Sequence, residues 1–285
     1  MPEDAPTTRP PAEALRPLHP ARLFVESLGR GFLSFVHDVG GIATLFLMVV
    51  RSVVVPPWRL GLVFGQMDFL GVGSTSVVIL TGLFTGMVMT KQSLVAFAMF
   101  NAESLVGPTV TISITRELAP VFAALMITMR AGSAMSTELG TMRVTEQIDA
   151  LVTIAVDPVK YLIYPRVVAG MLMAPVLCMV FDGAGVAGTW FVAIIVEGLS
   201  PGTFLTKTQE WVDPGDIYLG LIKSVFFGLL ITLIACYKGF NAKGGAKGVG
   251  QATTEAMVMT AVSTFVIDYV LNLIFLPILF PYLYR

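Results

Sequence analysis

The chain has 285 residues, of which 55% are hydrophobic and 13% charged, and its mean hydropathy is +0.80. An ordinary soluble domain carries about a quarter charged residues, so the composition excludes one and points to an integral membrane protein. A net charge of −1 supplies no basic field for nucleic acid.

Residues 1–20 are rich in proline and lack the basic start and short apolar core of a cleaved signal peptide, so a disordered cytoplasmic tail is expected there. The next apolar run, 32–55, contains His37 and Asp38 and lies between Arg22 and Arg30 on one side and Arg51 and Arg59 on the other. Crossing the membrane would leave one basic pair outside, against the preference for cytoplasmic Lys and Arg. An interfacial helix lying in the membrane plane, over about residues 21–55, satisfies both flanks.

Five later runs are long enough to cross a bilayer, which takes about 20 apolar residues. They are expected at Val72 to Ala98, Ile112 to Met129, Val167 to Val196, Ile217 to Tyr237 and Ala256 to Phe280. Pro175 and Asp182-Gly183 are candidate bends in the third. Basic residues set the topology. Arg9, Arg16, Arg22, Arg30, Arg51 and Arg59 precede the first span; Arg130, Arg143, Lys160 and Arg166 flank the connection from second to third; Lys238, Lys243 and Lys247 lie between the fourth and fifth. The opposite side holds Lys207, Arg285 and Lys91. The N-terminus is therefore expected inside and the C-terminus outside, with Tyr282, Tyr284 and Arg285 as an interfacial anchor.

The stretch TELGTMRVTEQIDAL, Thr137 to Leu151, is polar between greasy neighbours. Glu138, Arg143, Glu146 and Asp149 would each cost about 3 kcal/mol at the bilayer centre, so the stretch faces water or protein. Leu139, Met142, Ile148, Leu151, Val152 and Ala155 recur mostly at three- and four-residue steps, which predicts one short amphipathic helix over about 136–152. A solvated loop and a docking element for a soluble partner both fit. Pro158 stops helix propagation after it.

Cys178 and Cys236 sit in separate apolar runs without a CxxC, and His19 and His37 make no metal-binding pair, so both cysteines read as packing residues and no metal site is expected. GAGVAG (Gly183 to Gly188) matches a dinucleotide fingerprint, but inside an apolar span it reads as a site of close helix packing, as do Gly82 and Gly86. Gly244, Gly245, Gly248 and Gly250 suggest a flexible loop before the fifth span, with Lys243 and Lys247 near anionic lipid heads. Ionisable groups within spans are costly unless paired or wet. Arg116, Glu117 and Lys223 fall towards the outer side, where they could share a polar site. Asp182 and Asp268 lie mid-span. A structural reading pairs Arg116 with a carboxylate and Lys223 with Asp268.

The runs Arg116 to Arg166, LIKSVFFG (Leu221 to Gly228) and GAKGVGQATTEAMV (Gly245 to Val258) resemble the MlaE/YrbE permease family, the membrane subunits of Mla- and Mce-type ABC lipid transporters. The resemblance covers about Arg51 to the C-terminus. It implies an all-α integral membrane protein with an in-plane elbow helix, five transmembrane helices and a short cytoplasmic coupling helix between spans two and three, the permease domain taking residues 21–285. It makes Glu138, Arg143, Glu146, Gln147 and Asp149 candidates for contact with a cytoplasmic ABC ATPase. Arg116, Glu117 and Lys223 become candidates for lining a lipid cavity, with Leu83, Met87, Leu118, Val121 and Phe122 as its apolar wall. The implied assembly is a homodimer in the bacterial inner membrane, with a periplasmic MCE-domain protein and, as a further candidate, a STAS-type subunit. The chain has no P-loop of its own, so no cofactor is expected in it, and ATP and Mg would belong to the ATPase. An ion-coupled carrier using Asp182, Asp268 and Glu117 as a proton relay is the competing reading, and a scaffold without a transported substrate is a third.

Overall fold

A computed structural model describes residues 20–54 and 59–281, which are helical with no strand among them. The expected tail over residues 1–19 and the anchor at Tyr282, Tyr284 and Arg285 lie outside the described residues. The chain divides into two compact units, residues 1–44 and 45–285. Helix α1 (Pro20–Val54) begins in the first and ends in the second.

Five segments of the second unit are long and apolar enough to cross a membrane. The first is α2 (Leu60–Ala98), a single helix. The second, Glu103–Val144, is composite: α3 (Val106–Ser113), α4 (Ala119–Ile127) and α5 (Ser133–Val144) are joined by π-helical turns at Ile114–Leu118 and Thr128–Gly132. A short helix α6 (Gln147–Thr153) follows. The third, Val159–Val196, contains α7 (Tyr164–Trp190). Then come α8 (Pro201–Trp211), α9 (Pro214–Phe240) and α10 (Gly245–Leu279). Helix α1 is not among the five, in keeping with a run interrupted by His37, Asp38 and a Gly pair.

Each span is longer than its apolar run. Gln66 and Asp68 depress hydropathy ahead of Val72 but do not break a helix, so α2 extends back to Leu60. Helix α7 runs without interruption through both Pro175 and Asp182-Gly183. Gly248 and Gly250 belong to the first turns of α10 rather than to a loop. The reversal is made by Gly244 and Gly245, whose φ angles of +91° and +68° suit a residue without a Cβ.

The helices meet backbone to backbone at glycines, as is usual where lipid supplies no hydrophobic drive and close packing must do so instead. A Cβ at Gly86 would run into the Gly185 carbonyl, one at Gly82 into that of Phe181, and one at Gly188 into that of Leu83. The two small-residue motifs are thus the two faces of one crossing, α2 on α7. Gly170 of α7 and Gly228 of α9 approach each other in the same way. Side chains fill the rest: Ile114, Leu177, Phe181, Phe227 and Ile231 are fully buried, with Phe122 stacked on Phe181 at 6.3 Å between ring centroids. Both cysteines are buried and free.

The polar stretch departs from expectation. In place of one helix over 136–152, α5 carries the second span through Val144 and stops, Glu146 takes a left-handed φ of 60°, and α6 starts afresh. The turn is held by Arg143 bonded to Asp149 at 2.6 Å and by Ile148, which is buried. The predicted apolar face is split accordingly: Leu139 and Ile148 are buried, while Val152 is exposed together with Ile154. Pro158 does more than end a helix. Asp157 accepts a bond from the Val159 amide at 2.9 Å, so the Asp157-Pro158 pair opens the third span.

Candidate functional site

Arg116 and Glu117 sit in the π-helical turn at Ile114–Leu118, which is followed by Pro120. In an α ladder the Arg116 carbonyl would accept from the amide of residue 120, and proline has none. Lys223 takes that place, its Nζ donating to the Arg116 carbonyl at 3.0 Å. Gly220 makes this possible: a Cβ there would strike the Thr115 carbonyl, so its absence lets α9 close on the turn and brings Lys223 level with Arg116.

The same ammonium donates to Glu117 Oε2 at 2.7 Å and forms an ion pair with Asp268 Oδ1 of α10 at 3.0 Å. Asn272, one turn beyond Asp268, donates to Glu117 Oε2 at 3.0 Å. Lys223 itself is wholly buried, whereas the Glu117 side chain is 42% exposed. Arg116 turns the other way, bonds the buried carboxylate of Asp216 and lies over the Phe280 ring, 4.2 Å from its centroid. Asp216 is fixed in turn as part of the capping box of α9, accepting from the Asp213 amide at 3.0 Å while Asp213 accepts from Gly215. An otherwise costly set of intramembrane charges is thereby paired throughout.

The structure thus brings Arg116, Glu117, Lys223 and Asp268 into one cluster and leaves Asp182 out, with no bond from it to either Glu117 or Asp268 among the described residues. Asn272, Asp216 and Phe280 were not singled out from the sequence. Asp216 had a readable signal in the capping pattern Asp213-Pro214-Gly215-Asp216; Asn272 had only its four-residue spacing from Asp268.

Beside the cluster, Leu118 and Phe122 together with Thr81, Phe84, Thr85, Val88 and Met89 of α2 line an apolar groove of about 420 Å³. Of the expected wall, Leu118 and Phe122 are there. Leu83 and Met87 lie instead on the face of α2 that meets Gly188 of α7, and Val121 belongs to the buried core.

At the far end of span two, Glu138 bonds Arg166 at 2.8 Å, and the Arg166 side chain is almost fully buried. Gln147 donates to Thr145 at 3.1 Å. Glu146 makes no side-chain bond among the described residues and is exposed, as are Gln147 and Asp149. The five residues share one corner but differ in how freely they could meet a partner: Glu138 is committed to Arg166, Arg143 and Asp149 to each other, and Glu146 to nothing.

Comparison with known proteins identifies this arrangement. The family model for the permease MlaE matches residues 63–274. The chain belongs to the MlaE permease family. Among relatives, a protein named "Probable ABC transporter permease protein" from Rickettsia conorii is 40% identical over 80% of this chain and 88% of its own length. The "Intermembrane phospholipid transport system permease protein MlaE" of Haemophilus influenzae is 37% identical over 81% and 88%. A "Probable ABC transporter permease protein" of Synechocystis is 41% identical over 66% and 72%. The MlaE match takes in the charged cluster, the groove and the corner at Glu146, and it stops short of Phe280.

Proposed function

We propose that the chain is the permease subunit of an ABC transporter that moves phospholipid or another lipid between the inner membrane and a periplasmic MCE-type partner. The observation that carries this is a membrane domain of the MlaE family in which an apolar groove with a charged cluster lies near one end of span two, and an exposed corner closes the other end. The named role of the Haemophilus influenzae relative in intermembrane phospholipid transport supports it. With Lys and Arg inside, the corner is cytoplasmic, the cluster faces the periplasmic side, and α1 lies in the interface. The subunit works as a homodimer, and ATP and Mg are handled by separate ATPase subunits that dock at Glu146, Gln147 and the exposed Val152 and Ile154. A STAS-type subunit is a further candidate member.

The transport test is reconstitution of the chain with its ATPase and MCE partner in liposomes, with lipid transfer followed with and without ATP. ATP-dependent transfer is expected. Transfer that ignores ATP and stops when a proton gradient is collapsed would overturn the reading in favour of the ion-coupled carrier. The docking test is Glu146→Lys combined with Val152→Asp, which should release the ATPase from the purified permease. Retained co-purification with normal ATP turnover would remove the corner from the docking surface.

A further inference from the structure

The candidate lipid site was expected to offer Arg116, Glu117 and Lys223 together, and the three differ in how far they are exposed. Lys223 has no exposed surface and gives its bonds to Glu117, Asp268 and the Arg116 carbonyl. Arg116 is held by Asp216 and covered by Phe280. Lys223 is not presented for a phosphate, whereas Arg116 bonds Asp216 through Nε and keeps 20% of its side chain exposed. The cluster sets these two cations against three carboxyl groups, Glu117, Asp268 and Asp216. Asp216 is buried and Asp268 nearly so, which leaves Glu117 as the carboxylate with solvent-accessible surface. Both bonds donated to Glu117 go to Oε2; none of the described residues donates to Oε1. Its sequence neighbour Leu118 lines the apolar groove.

We infer that Glu117 reads the headgroup of the bound lipid, and that the lipid it selects carries a primary ammonium. The inference rests on the proposed lipid site. An ammonium donates charge-assisted hydrogen bonds to a carboxylate and leaves the acyl chains to the groove. An anionic headgroup without an ammonium would instead bring like charge to Glu117, which costs affinity. A quaternary ammonium would satisfy the charge but has no N–H to give, so it ranks between the two.

The test uses the full chain with its ATPase, in nanodiscs made from equal parts phosphatidylethanolamine and phosphatidylglycerol, with retained lipid counted by native mass spectrometry. Phosphatidylethanolamine should be enriched about three- to fivefold, the discrimination expected of one partly exposed charge-assisted contact. Glu117→Gln keeps the shape and an acceptor for Lys223 and Asn272 while removing the charge of this side chain; it should retain lipid and lose the enrichment. Glu117→Asp should keep it. Equal headgroup content in the wild type, or enrichment unchanged in Glu117→Gln, overturns headgroup reading while leaving lipid carriage standing. No retained lipid in any variant overturns both.

Discussion

The two charged ends of span two use the same chemistry to opposite ends. At the Glu117 end each cation is paired with a carboxylate from another helix: Lys223, wholly buried, joins the second, fourth and fifth spans, and Arg116, partly exposed, joins the second to the start of the fourth. At the Glu146 end the ion pair Arg143 to Asp149 bridges residues six apart, and both side chains stay in contact with water. Buried pairs are expensive to break because the survivor is left unpaired, whereas exposed pairs contribute about 1 kcal/mol or less. The first end therefore ties helices together. At the second, the Arg143–Asp149 pair is cheap to alter, while Glu138 is tied to the buried Arg166.

Several substitutions would break or sharpen this contrast. Lys223→Met leaves Glu117 and Asp268 facing each other without a cation, and a loss of about 3–5 kcal/mol is expected in denaturant or thermal unfolding of the purified permease. Unchanged unfolding would mean that the cluster does not hold the helices together. Glu138→Lys strands the buried Arg166 beside a like charge and should cost about 1–3 kcal/mol; Glu138 is thus a poor probe of docking, since it would affect stability and partner binding together. Arg143→Ala should cost about 0.5 kcal/mol, and a larger loss would show that the corner depends on its ion pair. Comparable in size and opposite in sign is Glu146→Gly, which relieves a left-handed φ and should stabilise by about 0.5 kcal/mol. Because it removes the carboxylate without disturbing the turn, ATPase affinity of this variant reports on the side chain alone.

Much of the architecture was legible because hydropathy is a direct record of the bilayer. All five spans are where apolar runs lie, and the Gly82-Gly86 and GAGVAG motifs do mark close packing. The ends were less legible: a helix outlasts its apolar stretch, so Leu60 to Gly71 is helical despite Gln66 and Asp68. Helix α8 was missed because its eleven residues are mostly polar; Phe204, buried beside Gly107, is what anchors it. The break at Glu146 did leave a trace in periodicity, since the six-residue step from Met142 to Ile148 puts Ile148 on another face of a continuous helix, but a left-handed Glu has no compositional mark. Within the cluster, the unusual cost of intramembrane charge picked out Arg116, Glu117, Lys223 and Asp268. Their partners Asp216 and Asn272 looked like an interfacial acid and an ordinary polar residue until the fold brought them near.

Between Glu117 and Arg143 the chain is helical at every position, with π-helical turns ending at Leu118 and spanning Thr128–Gly132. That stretch amounts to a lever about 40 Å long. Tilting it by about 10° about its midpoint would carry each end through about 3 Å, roughly the length of the bonds that tie Glu117 to Lys223 and Asn272. A small push at the corner is therefore enough, on geometry alone, to open or remake the far contacts.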